Sequence, residues 1–338
     1  MMINRLAVGA WVGALLLGAA GVGGTANAAE LSAHIGVPQS PDITTGGATT
    51  AATTTGAPTT GPTTAVPPTF NVASYNVHHA RTPDETVSDL RKIATAGADI
   101  IGLQEMGTAD RRAAVREQIV DCSTCKFDAF MPDTRAQNAT PILYRWSKFR
   151  LESTGTKQVS EATYVGPSGA GPSTIKAKFI NYVELRHRVT GQIIYVLNSH
   201  AVASVQGRDA GRKLKHPERL QLYRQHMEGL QSLITELSAT GAAVLATGDF
   251  NVSYRRDHLV QDTLFPYYRM GQVDTAANWE ALGMPELGTH RPSDGRANRL
   301  IDYVFYRKNT PVTPWSHRIL DTCTSDHRPV LVRFAIGV

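Results

Sequence analysis

The sequence predicts an α/β fold in which two β-sheets pack face to face and helices cover the outside. Strand-like apolar runs and amphipathic helical segments are mixed along the chain, an order that favours layered α/β architectures. The 338 residues are 42% hydrophobic and 19% charged, close to the average of globular domains. This composition excludes a collagen-like, disordered or disulfide-dense chain, and no internal sequence repeat is visible.

The periodicity of apolar residues locates the individual elements. The first helix has Val87, Leu90 and Ile93 at helical spacing, an acidic first turn, and Gly97 just beyond its end. The predicted elements are, in order, strand 70–77, helix 84–96, strand 99–103, helix 111–119, strands 141–144, 179–185 and 193–197, helix 218–237, strand 243–247, and strands 300–306 and 329–334.

The longest predicted helix, over residues 218–237, is amphipathic. Its apolar stripe consists of Leu220, Tyr223, Met227, Leu230 and Ile234. A stripe of this width is typical of a helix that packs one face on a sheet. The strand that follows, over residues 243–247, is apolar on both faces and is therefore expected to lie inside the domain.

The N-terminus has the three parts of a secretory signal peptide. Arg5 is the positive residue, the apolar segment runs from Leu6 to Ala20, and Ala26-Asn27-Ala28 has the small-x-small form of a cleavage site. The apolar segment is too short and too rich in glycine for a membrane span. Residues 1–28 are therefore predicted to be a signal peptide, and the mature protein is expected to be secreted, without stable insertion in a membrane.

Residues 29–68 are predicted to be a flexible linker, because Thr, Pro, Gly and Ala dominate them. No charged residue occurs between Ile43 and Phe70. Such a composition buries too little apolar surface to offset the entropy of ordering. The segment is either a spacer that holds the domain away from the cell surface or a tail without a specific role. A catalytic domain is predicted over residues 69–338.

The chain contains three cysteines, an odd number for an exported protein. Cys122 and Cys125 form a C-x-x-C pair, and Cys323 stands apart. No second ligand pair occurs at the spacing of a zinc site. A local disulfide between Cys122 and Cys125 is the prediction that fits this pattern.

Polar residues recur where predicted apolar strands end. They are Asn76, Glu105, His200, Asp249 with Asn251, Asp302, and Asp326 with His327. Each alone has a structural explanation, such as a turn, a helix cap or a satisfied core histidine. Together they supply oxygen ligands for a hard cation and the acid–base groups that hydrolysis of a phosphate ester requires. The pattern therefore predicts one metal-dependent site built from distant parts of the chain.

These residues lie in six segments that resemble the endonuclease/exonuclease/phosphatase superfamily, whose members include deoxyribonuclease I, exonuclease III-type repair nucleases and neutral sphingomyelinases. The segments, in the family's order, are Ser74-Tyr75-Asn76-Val77, Ile101-Gly102-Leu103-Gln104-Glu105-Met106, Asn198-Ser199-His200, Gly248-Asp249-Phe250-Asn251, Ile301-Asp302-Tyr303-Val304-Phe305 and Ser325-Asp326-His327-Arg328-Pro329-Val330. The resemblance covers the chain from about Phe70 to the end and implies a four-layer α/β sandwich.

The resemblance also implies a role for each residue. Glu105 is expected to bind a divalent ion (Mg²⁺, or Mn²⁺ or Ca²⁺) with Asn76 beside it. Asp249 is expected to orient or deprotonate the attacking water, and Asn251 to support it and contact the phosphate.

The resemblance implies that His327 stabilises or protonates at the scissile phosphate, with Asp302 as its carboxylate partner. Asp326 is expected to be a second carboxylate near the metal. His200 stands where deoxyribonuclease I-like and sphingomyelinase-like members carry a histidine. A carboxylate beside an imidazole raises its pKa and fixes its tautomer, which agrees with the pairing of Asp302 and His327.

The sequence departs from the family pattern before the strand over residues 141–144. Deoxyribonuclease I-like members have a glutamate there, whereas this chain reads Gln137-Asn138-Ala139-Thr140. A carboxylate partner for His200, or a further acid near the metal, is therefore expected to be missing.

Basic residues cluster beside the predicted site segments, and the net charge is +5. They are Arg208, Arg212, Lys213, Lys215, Arg219, Arg255, Arg256, Arg291, Arg296 and Arg299. Arg208, Arg255 and Arg299 are predicted to bind the substrate. A cationic rim favours a polyanion, so nucleic acid, most simply DNA, is the predicted substrate. Solvated loops remain the alternative explanation of these charges.

Two other functions are compatible with the same residues. A sphingomyelinase-type phospholipid phosphodiesterase, or another enzyme for small phosphoesters, requires the same metal site, but no apolar hairpin for contact with a bilayer is evident in the sequence. A non-catalytic surface-binding protein would have no need for Asp249, Asn251 and His327 together. No protein partner is implied, and a monomer is expected.

Overall fold

The computed structural model describes residues 66–134, 137–168, 171–205, 217–254, 274–291 and 299–337. Two six-stranded β-sheets form the centre of this part of the chain. The predicted signal peptide and nearly all of the predicted linker lie outside the described residues. The first strand begins at Thr69, the first residue of the predicted catalytic domain.

The first sheet joins the N-terminal strands to the C-terminal ones. In spatial order it consists of β13 (Val312–Ile319), β14 (Val330–Ile336), β1 (Thr69–Asn76), β2 (Ile100–Gln104), β4 (Ile142–Arg145) and β3 (Phe127–Phe130). Strands β1 and β2 are parallel, with Asn76 opposite Gln104. Their carboxyl ends therefore meet at one edge of the sheet.

The second sheet has the same mixture of parallel and antiparallel pairs. In spatial order it consists of β11 (Thr275–Ala277), β12 (Asp302–Arg307), β10 (Ala243–Asp249), β9 (Ile193–His200), β8 (Lys178–His187) and β5 (Phe149–Ser160). Strands β9 and β10 are parallel, with His200 opposite Asp249. A separate hairpin of β6 (Thr163–Ser168) and β7 (Gly171–Ile175) connects β5 to β8.

Helices cover the sheets on both outer sides. They are α1 (Pro83–Thr95), α2 (Ala109–Val115) with a π-helical turn over Arg116–Val120, α3 (Pro217–Ser238) and α4 (Asn278–Leu282). The two faces of β1 belong to different core clusters, because Ala73 packs with Leu90 of α1 whereas Val72 packs with Leu245 of the second sheet. Leu230 of α3 joins the cluster that contains Leu245. The result is the predicted four-layer α/β sandwich.

Every predicted helix and strand is present, with ends shifted by a few residues. The helix predicted over 111–119 changes to a π-helical turn at Arg116. Elements that the periodicity did not reveal are β3, β5, β6, β7, β11, β13 and α4. The longest of them, β5, is an edge strand of mostly polar, exposed residues, so its sequence lacks the apolar alternation that identifies a half-buried strand.

The cysteines are arranged as predicted. Cys122 and Cys125 form a disulfide, and Cys323 is a buried free thiol. Among the residues that the structure describes, no helix is long and apolar enough to cross a membrane.

Candidate active site

The predicted catalytic and metal-binding residues meet where the carboxyl ends of the parallel strand pairs from both sheets face each other. The amide nitrogen of Asn76, at the end of β1, donates hydrogen bonds to Glu105 Oε1 at 3.1 Å and to Asp249 Oδ2 at 3.0 Å. Asn76 is fully buried. One side chain of the first sheet therefore holds two carboxylates whose positions differ by 144 residues in sequence.

Three residues at this edge have left-handed backbone conformations. The φ angles are 62° for His78, 63° for Glu105 and 57° for Asn251. Non-glycine residues rarely adopt this region, which costs free energy. Glu105 follows directly on β2, and His78 and Asn251 lie two residues beyond the ends of β1 and β10.

A layer of buried polar side chains lies between the two sheets next to the site. Gln104 donates to Asn198 Oδ1 at 2.7 Å, and Thr247 donates to the same oxygen at 3.0 Å. The amide nitrogen of Asn198 donates to the backbone oxygens of Leu103 and Pro141. These bonds join both sheets and fix their relative register, and within the described residues Gln104 Oε1 is the one polar side-chain atom of these three residues without a hydrogen-bond partner.

Gly102 allows the sheets to approach each other at this layer. A Cβ atom at this position would lie 2.0 Å from the hydroxyl of Thr247 and 2.9 Å from Asn198 Oδ1. No side chain larger than hydrogen fits without displacement of the polar layer. The glycine is therefore required by contact between the sheets rather than by its own backbone angles.

Arg111 holds the loop that carries Glu105. Its side chain is buried and donates hydrogen bonds to the backbone oxygens of Glu105, His79 and Arg81. The carboxylate of Glu105 also accepts a hydrogen bond of 2.6 Å from the backbone nitrogen of His79. Burial alone raises the pKa of Glu105, but His200, Asn76 and His79 outweigh burial and lower it, so Glu105 is held as a carboxylate.

Asp249 lies at the centre of the charged groups. Its Oδ2 atom lies 3.4 Å from His200 Nε2 and 3.7 Å from His327 Nε2, and its Oδ1 atom accepts a hydrogen bond of 2.9 Å from the backbone nitrogen of Asn251. Burial raises the pKa of Asp249, but His327, His200 and Asn76 outweigh this effect and hold the pKa well below its usual range. His200 therefore has a carboxylate partner, Asp249, although the family glutamate is missing.

His327 and Asp302 form the predicted carboxylate–imidazole pair. Nδ1 of His327 lies 2.9 Å from Asp302 Oδ2, and both residues are buried. Burial alone would lower the pKa of His327, but the carboxylates of Asp302 and Asp249 outweigh it and raise the pKa well above its usual range. Burial raises the pKa of Asp302, an effect that His327 opposes and Asp249 reinforces. The Nδ1 contact leaves Nε2 as the nitrogen that faces the site.

The loop before His327 is tied to the first sheet. Ser325 donates its hydroxyl hydrogen to the backbone oxygen of Asn76 at 2.8 Å and accepts a hydrogen bond of 3.0 Å from the backbone nitrogen of His327. Asp326, the predicted second carboxylate near the metal, lies between two histidines. Its oxygens are 3.7 Å from His78 Nδ1 and 3.7 Å from His290 Nε2.

The predicted substrate-binding arginines are only partly described. Arg299 donates a hydrogen bond of 3.2 Å to the backbone oxygen of Asn251, so it lies beside the site. Arg208 and Arg255 lie outside the described residues. The side chain of Asn251 donates to the backbone oxygen of Ala201 at 3.2 Å.

Sequence reasoning missed one cation at the site, Lys178, which is the first residue of β8. Burial lowers the pKa of Lys178 to about 8, and the carboxylates of Asp249 and Glu105 partly oppose this shift. In the sequence, Lys178 directly precedes the predicted strand 179–185, where a lysine is usually exposed to solvent. The signal that would have found it is the antiparallel pairing of β8 with β9, which ends at His200.

His226 of α3 lies behind this group. It is fully buried, and neither ring nitrogen has a hydrogen-bond partner in the part of the chain that the structure describes. Burial, with further contributions from Lys178 and His200, lowers the pKa of His226 to about 3, so the ring is neutral.

The sequence model of the Endonuclease/Exonuclease/phosphatase family matches residues 69–327, a range that contains all the site residues described in this section. The chain belongs to this family. It is therefore an enzyme of a class that hydrolyses phosphoric esters and generally depends on divalent metal ions.

Solved structures agree with the fold of the Endonuclease/Exonuclease/phosphatase family. A family protein from Bacteroides thetaiotaomicron is 17% identical, with a TM-score of 0.58, and the match covers 80% of this chain and 96% of that one. A mannosyl-6-phosphatase from Bacteroides thetaiotaomicron is 17% identical, with a TM-score of 0.57 and coverage of 79% and 100%. The human nocturnin catalytic domain is 12% identical, with a TM-score of 0.54 and coverage of 80% and 94%. No curated protein matches the sequence.

The donors at the site fit the hard divalent cation of the Endonuclease/Exonuclease/phosphatase family. Glu105 supplies carboxylate oxygens, and Mg²⁺ is usually held by one or two carboxylates with waters in its remaining positions. The amide oxygen of Asn76 accepts a hydrogen bond of 2.9 Å from the backbone nitrogen of His78. In this arrangement Asn76 orients the carboxylate of Glu105 through its amide nitrogen.

Proposed function

We propose that the protein is an exported, Mg²⁺-dependent phosphodiesterase that hydrolyses DNA by in-line attack of a water molecule. The observation that carries the hydrolytic part of this proposal is the position of Asp249 between two imidazoles and the amide of Asn76. The proposed substrate and export rest on the sequence, from the basic segments beside the site and the signal peptide.

Asp249 is the base in the proposed reaction. Its lowered pKa keeps it ionised, and the backbone nitrogen of Asn251 holds Oδ1 while Asn76 holds Oδ2. A carboxylate fixed on both oxygens orients a water molecule and accepts its proton at the moment of attack. Loss of the Asn76 contact would leave the carboxylate free to turn away from the water.

His327 is the acid in the proposed reaction. Asp302 holds its Nδ1 atom, so a proton on Nε2 points into the site and can be transferred to the leaving oxygen. The raised pKa of His327 keeps this proton in place at neutral pH. Positioned acids and bases each contribute about 10²–10⁴-fold to a rate.

Two cations would neutralise the charge of the phosphoryl group. Glu105 would hold a divalent ion, which would supply Lewis-acid stabilisation of a phosphoryl oxygen. Lys178 supplies a half-buried ammonium that interacts electrostatically with Glu105 and Asp249. Donors fixed where charge develops stabilise a transition state without reorganisation.

DNA is favoured over a small phosphoester by charge in the sequence. Segments 206–216, 255–273 and 292–298 contain eight lysines and arginines against four aspartates. Each segment begins or ends within eight residues, in sequence, of His200, Asn251 or Asp302. A polyanion gains affinity from such charges through release of counterions.

The test uses the full-length protein with supercoiled plasmid DNA and Mg²⁺. We expect the protein to nick the plasmid and a chelator to abolish this activity. Asp249→Asn should reduce the rate by at least about 10²-fold. The KM for DNA should rise steeply with added KCl. Asp128→Asn is the matched control, because this exposed aspartate accepts a hydrogen bond from Tyr144 away from the site and should keep full activity.

Other substrates decide between the alternatives. Hydrolysis of sphingomyelin vesicles without hydrolysis of DNA would identify a phospholipid phosphodiesterase. Hydrolysis of p-nitrophenyl phosphate or a sugar phosphate alone would identify a phosphomonoesterase, the activity named for the mannosyl-6-phosphatase of similar fold. Failure to hydrolyse any ester would leave a surface-binding protein on the same fold.

A further inference from the structure

A second group of potential metal ligands adjoins the oxygen site. Three potential ligand atoms, one each from His290, Asp326 and His327, lie within 4.8 Å of one another. His290 Nε2 lies 3.7 Å from Asp326 Oδ2, and the rings of His290 and His327 are 4.8 Å apart at an angle of 73°. Two ligands of a tetrahedral Zn²⁺ ion, each about 2.0–2.2 Å from it, are about 3.4 Å apart. His290 and Asp326 are already near this separation. To enclose an ion, side-chain rotations must bring the remaining ligand atoms closer by up to about 1.4 Å.

The backbone holds these side chains next to each other. His290 and His327 are opposite residues of an antiparallel bridge. On either side of this pair, Arg291 N donates to Asp326 O at 2.7 Å and Arg328 N donates to Thr289 O at 2.6 Å. Opposite residues of an antiparallel pair have their Cβ atoms close together, so the two imidazoles are fixed in advance.

The chemistry of the ligands distinguishes this cluster from Glu105. Two imidazoles and one carboxylate suit Zn²⁺ and other transition metals, whereas Mg²⁺ prefers oxygen ligands alone. Asp302 lies 2.9 Å from Nδ1 of His327, which is the carboxylate–histidine arrangement that supports metal-binding imidazoles. His290 Nδ1 has no such partner in the described ranges, which limits the expected affinity.

We propose that His290, Asp326 and His327 form an inhibitory site for a transition-metal ion such as Zn²⁺, in which Asp326 serves this ion rather than the Mg²⁺ ion held at Glu105. Coordination uses the lone pair of His327 Nε2, so any proton on that nitrogen is released to solvent. The imidazole then has no proton to give to the leaving oxygen. The inhibition rests on the proposed function, in which His327 is the acid. The binding of the ion is independent of that function.

Binding is measured first, without substrate, on full-length protein freed of metal and then saturated with Mg²⁺. Isothermal titration calorimetry with Zn²⁺ should show one site, and Co²⁺ at the same site should give visible d–d absorption. His290→Ala should weaken Zn²⁺ binding by more than about 10–100-fold, the loss that removal of a mere supporting contact causes. His79→Ala is the matched control, because this exposed histidine faces Glu105 instead.

Inhibition is measured second, as the Zn²⁺ concentration that halves hydrolysis in saturating Mg²⁺. We expect His290→Ala to raise this concentration by the same factor by which it weakens binding. Equal Zn²⁺ affinity in the wild type and His290→Ala, or a loss of affinity in Glu105→Gln alone, would overturn the proposed site. Equal inhibition of both proteins would overturn its inhibitory role. If the wild type hydrolyses no ester, the proposed function fails while the calorimetric result still decides the site.

Discussion

Replacement of Asp302 by asparagine tests how the site controls the proton on His327. The variant keeps the size of the side chain and an oxygen that can accept the Nδ1 hydrogen. It removes the largest of the three carboxylate charges, on Asp302, Asp249 and Asp326, that raise the pKa of His327. The second charge, on Asp249, stays 3.7 Å from Nε2. The change therefore isolates the contribution of one ion pair.

The distance sets the size of the effect. Two unit charges 2.9 Å apart interact by about 6 kcal/mol at an effective dielectric constant of about 20. At 1.36 kcal/mol per pKa unit this equals about 4 units, an upper value. Opposite charges at this range shift pKa values by about 1–3 units in proteins. We expect the pKa of His327 to fall by about 2 units.

The assay is the pH dependence of kcat. Because the proposed acid acts when protonated, activity should fall as pH rises through the pKa of His327, and in Asp302→Asn this fall should occur about 2 units lower. Titration of the imidazole Cε1 proton by NMR in metal-free protein measures the same shift without turnover. The raised pKa also stabilises the fold below the ordinary histidine pKa, and this stabilisation is lost as pH rises through the raised value.

The control is Asp99→Asn. Asp99 is also buried and ion-paired, with Arg145 and Lys148, but it precedes β2 at the edge opposite the site. This variant should lose stability and keep the wild-type pH profile. If the alkaline limb and the NMR titration of Asp302→Asn coincide with those of the wild type, the charge of Asp302 does not hold the proton on His327, and the assignment of His327 as the acid loses its basis.

Two further substitutions test the residues that only the fold revealed. Lys178→Met should lower kcat/KM by about 10²-fold in steady-state assays, because it removes a positive charge that stabilises the phosphoryl group. The control Lys176→Met, on the segment before β8, should keep the wild-type kcat/KM. Equal kinetics in both variants would exclude Lys178 from the site. Gly102→Ala should lower the free energy of unfolding by about 1–3 kcal/mol in urea denaturation, because the added Cβ collides with Thr247. The control Gly107→Ala, where the added Cβ meets open space, should keep the wild-type stability. A Gly102→Ala protein as stable as the wild type would show that the sheets separate without cost.

The sequence predicted the layered fold because the elements that build the layers are strongly patterned. The stripe on α3 and the apolar run of β10 identify buried elements, since water penalises any other placement of so much apolar surface. The edge strands β5 and β13 could not be predicted in this way. Most of their residues are exposed or half-buried, and their strand conformation depends on hydrogen bonds to β8 and β14 rather than on burial.

The order of polar residues at strand ends was enough to predict which side chains meet at the site. Asn76, Glu105 and Asp249 are now joined by two hydrogen bonds, and His327 is paired with Asp302. The sequence alone also determined the disulfide between Cys122 and Cys125, because a bond across three residues needs only local backbone geometry.

Only the tertiary structure decided the partners that come from different strands and loops. The register of neighbouring strands decides that Asp249 is the partner of His200 and that His290 lies opposite His327. It also decides that the charge of Lys178 interacts with Asp249 and Glu105. Register is set by the packing of the whole core, and a shift of one residue would turn each of these side chains to the other face. Local periodicity identifies a strand, but distances between side chains on separate strands are fixed only when both sheets have packed.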